Sequence, residues 1–134
     1  MGTIIKQRIN NIAVLHSLIS KENVISEVQN IRRLLLPNTG VMKKVSKKDF
    51  SGSDRSEIID WLQKRRKDLE PRVYIYWLSD QEGVEMGFDD FVSHFDDLWY
   101  PSADDVWITN QERTAVVELN HEEIFSLYTI SKTT

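Results

Sequence analysis

Apolar positions recur at helical spacing in the first half of the chain and alternate strand-like in much of the second. Between Thr3 and Ser20, Ile5, Ile9, Ile12 and Ile19 mark one stripe, broadened by Ile4, Leu15 and Leu18, which predicts an amphipathic helix. Ser20 is suited to cap a second helix in which Val24 or Ile25, Val28, Ile31 and Leu35 repeat every three or four residues, and Pro37-Asn38-Thr39-Gly40 stops it. Two helices, or one kinked near Ser20, are favoured over a single long helix whose stripe could equally serve a dimer. A third helix opens at Ser53 or Asp54, where Asp54-x-x-Glu57 resembles a capping box, and presents Ile58, Trp61 or Leu62, Arg65 and Leu69 inward until Pro71.

Arg72 to Leu78 is the clearest strand, because β-branched and aromatic residues fill it almost completely. Val73, Ile75 and Trp77 fall on one face and Tyr74, Tyr76 and Leu78 on the other, so it is expected to be central and covered on both sides. Ser79 to Gly83 reads as a turn. Phe88, Phe91 or Val92, Phe95 and Leu98 or Trp99 then return to helical spacing for about three turns, ended by Pro101. Val106–Thr109 and Thr114–Leu119 form a hairpin through Asn110 to Arg113, and Ile124–Ile130 alternates as a last strand after a tight turn, with a short helix as the alternative. The expected fold is α+β: N-terminal helices followed by a mainly antiparallel sheet of about four strands, interrupted by an acidic amphipathic helix.

Charge adds an asymmetry that periodicity does not show. The net charge of −4 divides into 14 Lys+Arg against 8 Asp+Glu in residues 1–70 and 3 against 13 in residues 71–134. A single domain over residues 1–134 is therefore expected to have a mostly helical, basic first half and an acidic second half of mixed sheet and helix. Lys43, Lys44, Lys47 and Lys48 surround a short candidate edge strand at Val41 to Val45, where lysines keep other chains from pairing; contact with phosphates is the weaker reading. Overall acidity argues against nucleic acid as a partner. Asp96 and Asp97 stand in the last turn of a helix, where negative charge opposes the helix dipole, whereas Asp89 in its first turn is favoured. Breaks of a local rule are found more often at working surfaces than elsewhere.

The residues that could carry chemistry form no complete motif. There is no cysteine, which leaves neither a disulfide nor a thiolate ligand or nucleophile. Asp96, Asp97, Asp104 and Asp105 could converge on a divalent cation only if the chain folds back at Pro101, since neighbouring carboxylates diverge. His121-Glu122-Glu123 lacks the second histidine of a His-Glu-x-x-His zinc site, and His16, His94 and His121 mark no acid–base pair. No Gly-x-Ser-x-Gly turn or phosphate loop is present. A carboxylate-based metal-dependent enzyme is accordingly the minor alternative, and no catalytic residue, metal or cofactor is assigned. The N-terminus carries no uninterrupted apolar run or small-residue cleavage site, and Lys6 stands where a myristoylation signal needs Ser or Thr; the expected compartment is the cytoplasm, with no membrane partner.

Phe95-Asp-Asp-Leu-Trp-Tyr-Pro-Ser-Ala-Asp-Asp-Val-Trp-Ile108, the hairpin after it and Leu119-Asn-His-Glu-Glu123 resemble small bacterial immunity proteins of contact-dependent or polymorphic toxin systems. The likeness covers about residues 72–128 and is to a functional class with many folds, without shared catalytic residues. It implies a cytoplasmic protein that binds a toxin domain, often a basic nuclease, and blocks it without doing chemistry. The candidate contacts to such a basic partner are Asp89, Asp96, Asp97, Asp104, Asp105, Glu122 and Glu123, with Tyr100 as an aromatic anchor inside an acidic rim. A different class of function, a regulatory or structural module dimerising through residues 3–36, would make the chain a homodimer rather than a monomer.

Overall fold

A computed structural model describes residues 16–100 and 104–130. Seven strands form one antiparallel sheet: β1 (His16–Leu18), β2 (Met42–Asp49), β3 (Arg72–Trp77), β4 (Glu82–Gly87), β5 (Val106–Thr109), β6 (Ala115–Leu119) and β7 (Ile124–Ile130). Their spatial order is β1-β4-β3-β5-β6-β7-β2. Sequential hairpins account for β3–β4, β5–β6 and β6–β7, while β1 and β2 reach the two outer positions from far away in the chain.

Helices cover both faces. α1 (Lys21–Leu34) packs Val24 and Ile31 against Tyr76, Trp107, Val116 and Met42 on one face. On the other, α2 (Arg55–Gln63), α3 (Arg66–Leu69), α4 (Phe88–Ser93) and α5 (Phe95–Leu98) enclose the larger core around Val73, Ile75 and Trp77. This is the two-sided burial that the apolar alternation of β3 requires. The Ser20 and Asp54 hydroxyl and carboxylate cap α1 and α2 by accepting from the amides of Asn23 and Glu57, each meeting one of the donors that a helix start leaves open.

The sheet of seven strands corrects the expected four, and a strand rather than a helix is the first described element. His16 to Leu18 is β1, so the expected helix does not extend to Ser20; its part over residues 3–15 lies outside the described residues. Three residues are too few to show alternation, and their one apolar member, Leu18, coincided with a helical spacing. The expected turn over Ser79 to Gly83 takes in only the first two residues of β4, and no strand was expected from Glu82-Gly-Val-Glu-Met-Gly87 because two glycines and two glutamates are poor strand formers. Pairing on both sides overrides that preference, and Val84 and Met86 point into the main core while Glu85 meets Arg72 across β3 at 3.1 Å. β2 spans eight residues, of which only Met42 is buried. It lies at the sheet's edge, and its four lysines together with a register shift between Lys44 and Ser46 protect that edge from further pairing.

The acidic helix of three turns is two shorter ones. His94 adopts φ −113°, ψ 22° between α4 and α5, and its ring Nδ1 lies 3.0 Å from the Asp90 carbonyl oxygen. The break lets Phe91, Phe95, Leu98 and Trp99 all reach the core. At the last turn Glu123 takes φ +66°, and its amide donates to Asn120 O at 2.9 Å, turning the chain into β7 within four residues, Asn120 to Glu123.

Candidate functional site

One end of the sheet collects the acidic loops. Cross-strand pairing aligns Glu82, Trp77, Val106, Leu119, Phe125 and Lys48 in a row across β4, β3, β5, β6, β7 and β2. The segments leaving this row are stitched by Leu78 N–H to Asp105 O at 3.1 Å and Phe50 N–H to Glu123 O at 2.8 Å. Residues 49–54, 78–82, 104–105 and 119–124 therefore lie side by side, and they contain eight Asp and Glu and no Lys or Arg. The sequence polarity survives folding as a spatial one, although its contributors come from both halves of the chain.

The side chains divide by what they already do. Asp104 is buried: its carboxylate accepts the Tyr100 amide at 2.9 Å, and its carbonyl oxygen accepts Trp99 Nε1–H at 3.1 Å. Asp105 accepts from the His121 amide at 2.9 Å and sits 2.9 Å from His121 Nδ1. Asp96 pairs with Arg55 at the start of α2. Asp49 and Asp54 accept from Ser51 and Ser56, bonds that hold both below the usual carboxylate range. By contrast the carboxylates of Asp80, Asp97 and Glu122 are exposed and have no ion-pair or hydrogen-bond partner among the described residues, and Tyr100 is exposed beside them in sequence and loop.

Of the residues singled out from the sequence, Asp96, Asp97, Tyr100, Asp104, Asp105, Glu122 and Glu123 come to this end. Asp89 does not. It begins α4 at the opposite end of β4, where the Phe88 amide donates to Pro71 O and the Asp89 carboxylate meets Arg66 at 2.6 Å. The convergence of Asp96, Asp97, Asp104 and Asp105 on one cation is not what the loop builds, since Arg55, the Tyr100 amide and His121 take three of the four carboxylates. Among the described residues no group of three or more His, Asp or Glu is arranged to hold a metal ion.

The His121–Asp105 contact titrates. The hydrogen bond, and then the charge, of Asp105 raise the His121 pKa above its ordinary 6.5. A raised folded-state pKa means the contact's contribution to stability is complete below the unfolded-state value and lost as pH rises through the folded one. An NMR titration of the His121 ring will give a midpoint above 6.5, and Asp105→Asn will lower it; a midpoint unmoved by that substitution would show that the two groups are not coupled.

Sequence inspection did not find a second concavity on the α1 face. A cleft of about 500 Å³ opens there beneath the start of α1, between β1 and the β5–β6 turn, with Tyr74 and Tyr76 as its floor and the Glu27–Arg113 pair along one side. The alternation along β3 placed both tyrosines on one face, and that was the available signal; the rest of the lining is assembled from distant segments. No helix among the described residues is long and apolar enough to cross a membrane. No family model, curated protein or solved structure matches the chain.

Proposed function

We propose that this protein is a cytoplasmic, bacterial immunity-type binding protein that neutralises a basic toxin domain through the acidic end of its sheet. The observation that carries the reading is the adjacency of four loop segments holding eight carboxylates and neither Lys nor Arg, on the rim of a rigid aromatic core. A predominantly acidic rim of this kind, bounded by Lys48 and by Arg55 on Asp96, steers an oppositely charged partner toward itself, and Tyr100 supplies the exposed aromatic surface that interface centres favour. Internal bonds fix Asp104 and Asp105 and so set the loop's shape, leaving Asp97, Glu122 and Asp80 as the groups available to a partner. Dimerisation through the α1 stripe is disfavoured, because Val24 and Ile31 are buried against this chain's own sheet.

The reading is tested by expressing the protein with the product of the adjacent gene and measuring binding by titration calorimetry at two salt concentrations. A 1:1 complex that weakens with salt is expected, and the double reversal Asp97→Lys, Glu122→Lys will weaken it by roughly tenfold or more, mostly through slower association. Full-strength binding by the reversed protein would remove this end of the sheet from the interface.

A further inference from the structure

β2 is the longest strand of the sheet and has no neighbour on its outer side among the described residues. Such an edge presents backbone N–H and C=O groups that a further strand would complete. Its protection is a matter of charge, and charge discriminates. Lys43, Lys44, Lys47 and Lys48 repel a second β2 or any other basic segment, and they attract an acidic one. The register shift at Val45 bends the edge without ending it, since pairing with β7 runs unbroken from Ser46 to Asp49.

The lysines are positioned but not neutralised. Register places Lys44 and Lys47 on the α1 face, opposite Tyr128 and Ser126, and Lys43 and Lys48 on the other face, opposite Thr129 and Phe125. The Lys44 ammonium lies 5.4 Å from the centre of the Tyr128 ring and the Lys48 ammonium 5.7 Å from that of Phe50, which draws one stem down on each face. All four are exposed, and none forms an ion pair among the described residues. One pair of uncompensated cations therefore stands above the sheet edge and one below it.

Apolar exposure is concentrated at the same edge. Of the seven large apolar side chains exposed among the described residues, four are here: Val45 on β2, Val41 directly before it, Ile130 opposite Met42 at the end of β7, and Leu36 before the Pro37–Thr39 turn that leads in. Open backbone groups with cations and apolar side chains along them are the features that an added peptide strand uses. A flat anionic surface or a single phosphate backbone would meet the lysines of one face and miss those of the other.

We propose that β2 is the docking edge for an acidic, extended segment of another protein, which adds to the sheet as a further strand and sets carboxylates against the lysine pairs on both faces. The chain's own ends lack the matching charge, since residues 1–15 and 131–134 contain Lys6, Arg8 and Lys132 and no Asp or Glu. The partner is opposite in charge to the one proposed for the acidic loops, so either reading can fail without the other.

The full-length chain is titrated with the capped peptide Val-Glu-Glu-Val-Thr-Glu-Glu-Val to millimolar concentration and followed by amide NMR. Saturable shifts along Met42–Asp49 and the adjoining part of β7 are expected. Replacing the central Val-Thr of the peptide by Pro-Pro keeps every carboxylate and removes backbone donors, and on the unaltered protein it will weaken binding about tenfold. The double reversals Lys44→Glu with Lys47→Glu, and Lys43→Glu with Lys48→Glu, will each weaken it about tenfold, while amides of α4 and α5 keep their positions. The proposal is overturned if the peptide does not saturate, if the Pro-Pro peptide binds equally well, or if only one lysine pair matters. Tighter binding by an oligouridylate of equal charge or by phosphatidylserine vesicles would also overturn it, and would assign the edge to nucleic acid or to a membrane.

Discussion

Truncating Phe125 to alanine will lower the free energy of unfolding by about 3–5 kcal/mol, the range for removing a fully buried aromatic side chain. Phe125 is fully buried, and its ring centroid lies 5.0 Å from those of both Phe50 and Trp99, 5.9 Å from Trp61 and 6.1 Å from Phe95. Those four rings arrive from the end of β2, from α2, from α5 and from the loop after it. No single neighbour can fill the void, since each is held by its own element, so relaxation will recover little of the loss. Phe125→Leu preserves most of the volume and will cost less than about 1.5 kcal/mol. Urea denaturation reads both as midpoint shifts at constant slope. A loss for the alanine variant comparable to that for leucine would show that the cluster repacks and is not what rigidifies the acidic end.

How far the fold was legible follows from where each residue's partner lies. β3 was readable because its six residues carry their own signal on both faces, and the Ser20 and Asp54 caps because a cap bonds within three residues. β4 was unreadable because its case rests on Tyr76 lying against Gly83 and on β1 arriving at its other edge, neither visible in Glu82 to Gly87. β2 was legible only as a basic connection with a short candidate edge strand at Val41 to Val45, because its lysines are solvated; pairing with β7 carries the strand on to Asp49 through backbone bonds, which leave no apolar pattern. The seven-stranded order also puts α1 and the later helices on opposite faces, a choice that two amphipathic stripes alone leave undetermined.

The candidate site shows the same division. The sequence located the excess of carboxylates between Asp96 and Asp105, and the fold added loops from both halves of the chain. It could not show which acids were already engaged, because Arg55 is 41 residues from Asp96, Arg66 is 23 from Asp89 and His121 is 16 from Asp105. Asp96, expected in a last turn where it would oppose the helix dipole, stands with Asp97 in the first turn of α5, where negative charge is favourable, and also has Arg55 beside it. Asp97 shares that favourable position but pairs with no cation among the described residues, which leaves its exposed carboxylate available to a partner.

Asp104 permits the sharpest separation of shape from recognition. Asp104→Ala will destabilise the protein by about 1.5–3 kcal/mol, the range for hydrogen bonds to charged groups, because the half-buried Tyr100 amide loses its acceptor. Asp104→Asn retains an acceptor oxygen at the same reach and will cost less than half as much. The carboxylate is buried and directed at the loop's own backbone, so neutralising it should weaken a basic partner far less than reversing Asp97 and Glu122 does. Urea midpoints and calorimetric affinities measured on the same three variants will therefore rank in opposite orders: Asp104→Ala worst for stability, the Asp97 and Glu122 reversal worst for binding. If Asp104→Asn abolishes binding while keeping its stability, the buried acid itself faces the partner, and the loop must open to present it.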